Sequence, residues 1–164
     1  MEKTKRVTVD TREYVSMLRE LTEQGHEVSM MIAGNSMSPF LVHQRDGIVF
    51  KKPDRELRRG DIVFYERMNG QFVCHRICRI RPEGFYLIGD AQIQVEGPIR
   101  REQIFGLITG VMRKGKRLAP GDFWWEFFEK VWLRIFPLRR PLVRLYAVVR
   151  SFGRKMDRNA DTEA

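Results

Sequence analysis

Apolar positions fall into three regimes along the chain. Between residues 10 and 24, Tyr14, Leu18 and Leu21 recur at three- and four-residue spacing, and Val15 and Met17 widen the stripe. That period predicts one amphipathic helix. Asp10 is placed to cap it, Glu13 to close a capping box, and Gly25 to end it in a left-handed turn. From residue 27 to 113 the pattern changes to short runs of β-branched and aromatic residues, at 28–33, 47–51, 62–67, 72–80, 85–88 and 104–112. Turn signals separate the runs: Arg59-Gly60-Asp61, Met68-Asn69-Gly70-Gln71 and Pro82-Glu83-Gly84. The Asn-Gly pair marks a tight hairpin. Many short strands joined by hairpins predict a mostly β, compact antiparallel domain rather than βαβ units.

The third regime runs from 120 to 155. Phe123, Trp124, Trp125, Phe127, Phe128, Val131, Trp132, Leu133, Ile135 and Phe136 crowd one short segment. Leu142, Val143, Leu145, Tyr146, Val148 and Val149 follow, interleaved with Arg144 and Arg150. Pro137 and Pro141 stop or kink a continuous helix, so two short amphipathic helices are predicted. The division is therefore a helical segment at 1–26, a β domain at 27–119, an aromatic and basic helical appendage at 120–155, and a disordered tail at 156–164.

Charge adds a class of partner. Lys and Arg total 30 against 21 Asp and Glu, a formal +9, which favours anionic partners. Tryptophans among Lys130, Arg134, Arg139, Arg140, Arg144, Arg150, Arg154 and Lys155 suit the headgroup region of an anionic bilayer, so residues 123–155 are a candidate peripheral membrane contact. The alternatives are that the aromatic faces cover an apolar side of the β domain, or meet a protein partner. With no bounded binding motif, nucleic acid is not expected. The N-terminus lacks the apolar stretch of a secretion signal, and no run of 18 apolar residues appears anywhere. Cys74 and Cys78 lie four apart in a predicted strand, where four rises of ~3.3 Å separate Cα atoms by roughly 13 Å. That is too far for a disulfide. Reduced cysteines place the protein in the cytoplasm, at most peripheral to the membrane. They lack the clustering of a zinc site, and no cofactor is expected. The oligomeric state is not legible.

Chemistry enters with Gly34-Asn35-Ser36-Met37-Ser38-Pro39 and, later, Cys74-His75-Arg76. A serine hydroxyl is a weak nucleophile until a base takes its proton, and the developing oxyanion needs donors. Gly34 permits a tight turn, Pro39 restricts the chain after the serine, and Met37 can anchor the turn in a core. The backbone N–H of Ser36 is then a reasonable oxyanion donor. Read alone, such a segment is more often a turn and nothing else.

Residues 34–39 resemble the nucleophile box of the signal peptidase I and LexA-type self-cleaving repressor peptidases, close to Gly-x-Ser-Met-x-Pro. The similarity continues in order. Arg59-Gly60-Asp61-Ile62-Val63 resembles the family's Gly-Asp strand start, and Cys74-His75-Arg76-Ile77 resembles the base-bearing box of the archaeal, endoplasmic-reticulum and sporulation-type signal peptidases. Gly89-Asp90 resembles their later Gly-Asp box, and Ile104-Phe105-Gly106 with Gly110-Val111 the closing strand. The resemblance covers roughly 27–114. It implies a signal-peptidase/LexA-like β peptidase domain, here with an N-terminal helix and C-terminal amphipathic helices.

It also implies Ser36 as nucleophile and His75, rather than the lysine of other branches, as base; the unperturbed pKa of histidine suits that task. His43 is a weaker alternative base. Asp90 is the favoured orienting carboxylate, and Glu96 is retained because an acidic residue in that region is implicated in the endoplasmic-reticulum type. Gly34 stands where many signal peptidases carry a serine that helps form the oxyanion hole. The expected function is a serine endopeptidase, a specialised processing enzyme acting on an extended peptide or protein bound as an added strand. Small residues near the scissile bond are the family expectation. Two other classes compete: a non-enzymatic peptide-binding or regulatory module, and a self-cleaving repressor, for which one helix in 1–26 and a histidine base fit poorly.

Overall fold

The computed structural model describes residues 10–135. Helix α1 (Thr11–Glu23) starts where Asp10 accepts a hydrogen bond from the Arg12 N–H at 2.7 Å; the reciprocal bond expected from Glu13 is not made. It ends in two bonds that close a left-handed cap. Gly25, at φ +89°, donates to Thr22 O, and His26 donates to Leu21 O. Val15 and Leu18 are buried, and Arg12 and Arg19 reach Glu66 at the end of the third strand.

Eight antiparallel strands follow: β1 (Val28–Met31), β2 (Asp46–Lys51), β3 (Ile62–Glu66), β4 (Phe72–Arg81), β5 (Gly84–Ile88), β6 (Glu96–Ile99), β7 (Ile104–Arg113) and β8 (Lys116–Leu118). Their order is β1-β2-β7-β3-β4-β5-β6, with β8 paired to β7. Six of them fall where the hydrophobic pattern places strands. β6 and β8 do not, because each is short, largely exposed and without an apolar run.

The alternation expected of a sheet with one wet face is weak for a physical reason. β3 is buried along Ile62–Tyr65, with Ile62 and Phe64 in one core and Val63 and Tyr65 in another. A strand covered on both faces reads as a continuous apolar run. The first core joins α1 to Phe50, Phe64 and Phe105, and the second holds Ile77, Leu87 and Leu107.

The described part of the aromatic appendage packs on the domain. Phe123–Glu126 forms α2, which continues as a π-helical turn over Phe127–Trp132. Trp125 and Phe128 lie against Phe40, with ring centroids 5.7 and 5.0 Å away, and Trp132 is buried beside them. Phe123 and Trp124 point outward, 72% and 53% exposed. The second predicted helix and the tail lie outside the described residues. Among the described residues, no helix is long and apolar enough to cross a membrane, and no cluster of residues is arranged to hold a metal ion. Cys74 and Cys78 form no disulfide, and the Cys78 thiol donates to Tyr86 O at 3.2 Å.

Candidate active site

Ser36 sits in the loop between β1 and β2. Gly34 adopts φ +97°, a region that costs a side-chain-bearing residue strain, although open space surrounds the position a Cβ would take. Its glycine therefore answers to backbone conformation. The Gly34 N–H donates to His43 Nδ1 at 3.0 Å, so the imidazole of His43 braces the serine loop. Met37 and Phe40 are buried in the first core, and Leu41 N–H donates to Met37 O at 2.8 Å. An adjacent Asp46, wholly buried, accepts from Val42 N–H and from Arg45 and Arg113, while Arg113 also donates to Phe40 O. The loop is held from both ends.

A second loop closes from the other side. Ala91 N–H donates to Ser36 O at 2.8 Å, and a Cβ at Gly89 would lie 2.4 Å from that same oxygen. Only glycine permits this approach at position 89. Between them, Asp90 is fully buried and forms a two-pronged ion pair with Arg76: Nε to Oδ1 at 3.0 Å and Nη2 to Oδ2 at 2.9 Å. Arg76 also donates to Gly60 O and lies 5.1 Å from the Phe40 ring centroid; the Trp132 indole donates to Asp90 O. Asp90 thus serves Arg76, and the hydrogen-bonded partner of His75 lies elsewhere.

His75, on β4, pairs across the ladder with Val63. Tyr65, two residues along β3, therefore shares its face of the sheet. The phenol oxygen lies 3.1 Å from His75 Nδ1 and donates to Glu96 Oε2 at 2.8 Å. Glu96, at the start of β6, stands 3.8 Å from Nδ1 and is gripped by Arg67 at 2.7 and 2.6 Å. Of the two carboxylates considered from the sequence, Glu96 is the one near the imidazole. Tyr65 and Arg67 did not stand out in the sequence; a β3–β4 register would have been the signal needed to find them.

Ser36 and His75 line one cavity of about 590 Å³, together with Ile32, Met37, Phe72, Cys74 and Gln92. Among the described residues, no hydrogen bond joins the Ser36 hydroxyl to His75, and the Ser36 N–H is not used in a backbone hydrogen bond. Burial pushes the Cys74 thiol up to about 12, so it is protonated and inert beside the histidine. Burial also pulls His75 down to about 4 from 6.5; Glu96 opposes that shift and Arg67 adds to it. Burial pushes Glu96 upward, but the bonds from Arg67 and Tyr65 outweigh it and hold the carboxyl below its usual range. The result is a neutral imidazole beside an ionised carboxylate.

This has a measurable consequence for stability. Between about 4 and 6.5 the unfolded chain binds a proton at His75 that the folded chain refuses, so stability rises with pH across that window. Above 6.5 the contribution is complete and flat. The expected loss on acidification through the window is on the order of 3 kcal/mol. Urea unfolding of wild type and His75→Gln along this range checks it: the wild-type curve should be steeper, and equal slopes would refute the shift.

An antiparallel sheet that presents a serine loop and a strand histidine to one cavity has the form of a serine peptidase-like fold. The chain belongs to the Peptidase S24-like family, whose model matches residues 4–107. No curated protein and no solved structure matches the chain.

Proposed function

We propose that this protein is a serine endopeptidase of the histidine-using kind, cleaving a peptide or protein substrate held in the cavity between Ser36 and His75. The observation that carries the reading is their common cavity, with a carboxylate near the side of the imidazole that faces Tyr65. Ser36 Oγ attacks the peptide carbonyl, and His75 takes the hydroxyl proton as the C–O bond forms. The same proton passes to the amine as the C–N bond breaks, leaving an acyl enzyme. Water then attacks that ester, His75 takes a proton from the water, and Ser36 recovers it as the acid product leaves. Glu96 offsets part of the cost of charging a buried imidazole. The Ser36 N–H is the candidate oxyanion donor. β1 ends the sheet just before the serine loop, and its outer side offers a backbone edge to an extended substrate.

The test is cleavage of a diverse peptide library by wild type, Ser36→Ala and His75→Ala, read by mass spectrometry. Products are expected from wild type, with about a thousandfold loss in each variant, within the range of a positioned base acting on a nucleophile. Cleavage that persists unchanged in both variants would sink the mechanism. One observation favours a second reading, a peptide-binding or regulatory module: the missing hydrogen bond between Ser36 and His75. Binding of library peptides by wild type and Ser36→Ala alike, with no products, would establish that alternative.

A further inference from the structure

Glu96 is too far from His75 to hold it. The closest approach is 3.8 Å, while the Tyr65 hydroxyl is within hydrogen-bond distance of both groups. We infer that Tyr65 is the positioning residue of the site, a phenol bridge that fixes the tautomer of His75 and carries the hold of Glu96 to it. This rests on the peptidase reading for its catalytic meaning, but its structural content stands on the hydrogen bonds themselves.

The direction of each bond follows from which groups can donate. An ionised carboxylate only accepts, and Arg67 only donates, so both oxygens of Glu96 act as acceptors. The single proton of the Tyr65 hydroxyl is therefore committed to Glu96 Oε2. Its oxygen can then only accept from His75 Nδ1. In the neutral imidazole the proton must sit on Nδ1, and Nε2 is left with a free lone pair. Among the described residues, Nδ1 is the ring nitrogen with a hydrogen-bond partner. The chain Arg67–Glu96–Tyr65–His75 thus sets a base with its lone pair at Nε2, the nitrogen turned away from the bridge.

Burial makes the arrangement matter. Tyr65 is fully buried in the second core and His75 is 2% exposed, so bulk water does not substitute readily for the hydroxyl. Removing it leaves a buried N–H without its acceptor and lets the ring adopt the other tautomer, whose Nε2 is already protonated. A histidine in that form cannot take a proton from serine at Nε2. The ring of Tyr65 packs the core independently of its hydroxyl, so phenylalanine at this position preserves the fill.

Tyr65→Phe in the full chain separates these roles. Nitrogen-15 NMR of the His75 ring at neutral pH is expected to show the Nδ1–H tautomer in wild type and a shift toward Nε2–H in the variant. With the library peptide cleaved best by wild type, kcat should fall about a hundredfold, with KM changed by less than about twofold. The denaturation midpoint controls for folding. An Nε2–H tautomer in wild type, or the same tautomer in both proteins, overturns the bridge whatever the activity. Cleavage that survives in Ser36→Ala instead overturns the peptidase reading, and the tautomer measurement still decides the bridge.

Discussion

Alanine at both Ser36 and His75 is expected to leave peptide cleavage no lower than alanine at either alone, each single change having cost about a thousandfold. In the proposed mechanism the imidazole acts on the reaction only through the serine proton. Without the hydroxyl the base has nothing to accept, and without the base the hydroxyl is a weak nucleophile. What survives comes from binding in the cavity and from backbone donors, which neither substitution touches. Measuring kcat/KM for the four proteins on one peptide makes the test quantitative. Losses that multiply, to about a millionfold in the double variant, would show two independent contributions and defeat the nucleophile–base pairing. The adjacent thiol does not rescue the variant, because Cys74 is pushed up to about 12 and has almost no thiolate at neutral pH.

How far the site was legible in the sequence turns on one hairpin. Runs of apolar residues located most strands, and the ordered boxes paired Ser36 with His75 through the family resemblance. The choice between Asp90 and Glu96, and the bridge, depended on register. A two-residue turn centred on Asn69-Gly70 would pair Met68 with Gln71, and would set Phe64 opposite His75. The structure instead closes a three-residue loop: Arg67 N–H donates to Gln71 O, Gly70 takes φ +80°, and Val63 faces His75. A slip of one residue moves a strand's side chains to the other face. Only in the observed register does Tyr65 reach the histidine, with Arg67, just past β3, on the same face to grip Glu96. Glu96 came from the family resemblance alone, as the second choice to Asp90, since β6 carries no apolar run that would have shown a strand beside β5.

The segments that carry Ser36 and His75 also encode a support for them, and the expected size of that support separates Asp90 from Glu96. Asp90→Ala should lower the unfolding free energy by about 3–5 kcal/mol, the cost of leaving a buried charge without its partner. Arg76 and Asp90 are both wholly buried, joined by two hydrogen bonds, and Arg76 has Gly60 O as its other hydrogen-bond acceptor. Removing the carboxylate strands the guanidinium beside Phe40. Arg76→Met combined with Asp90→Leu should cost less than Asp90→Ala, because no unpaired charge remains. Denaturant unfolding of the three variants measures this. A wild-type midpoint in Asp90→Ala together with a large fall in kcat would assign Asp90 to the histidine instead. The geometry explains why a structural pair sits beside Ser36 and His75 in the chain. Arg76 follows His75 on β4, and Asp90 lies between Gly89, packed against Ser36 O, and Ala91, hydrogen-bonded to it. One ion pair therefore ties the strand that carries His75 to the loop that supports Ser36. Adjacent residues on a strand point to opposite faces, so His75 can turn toward Tyr65 while Arg76 fastens the scaffold behind it.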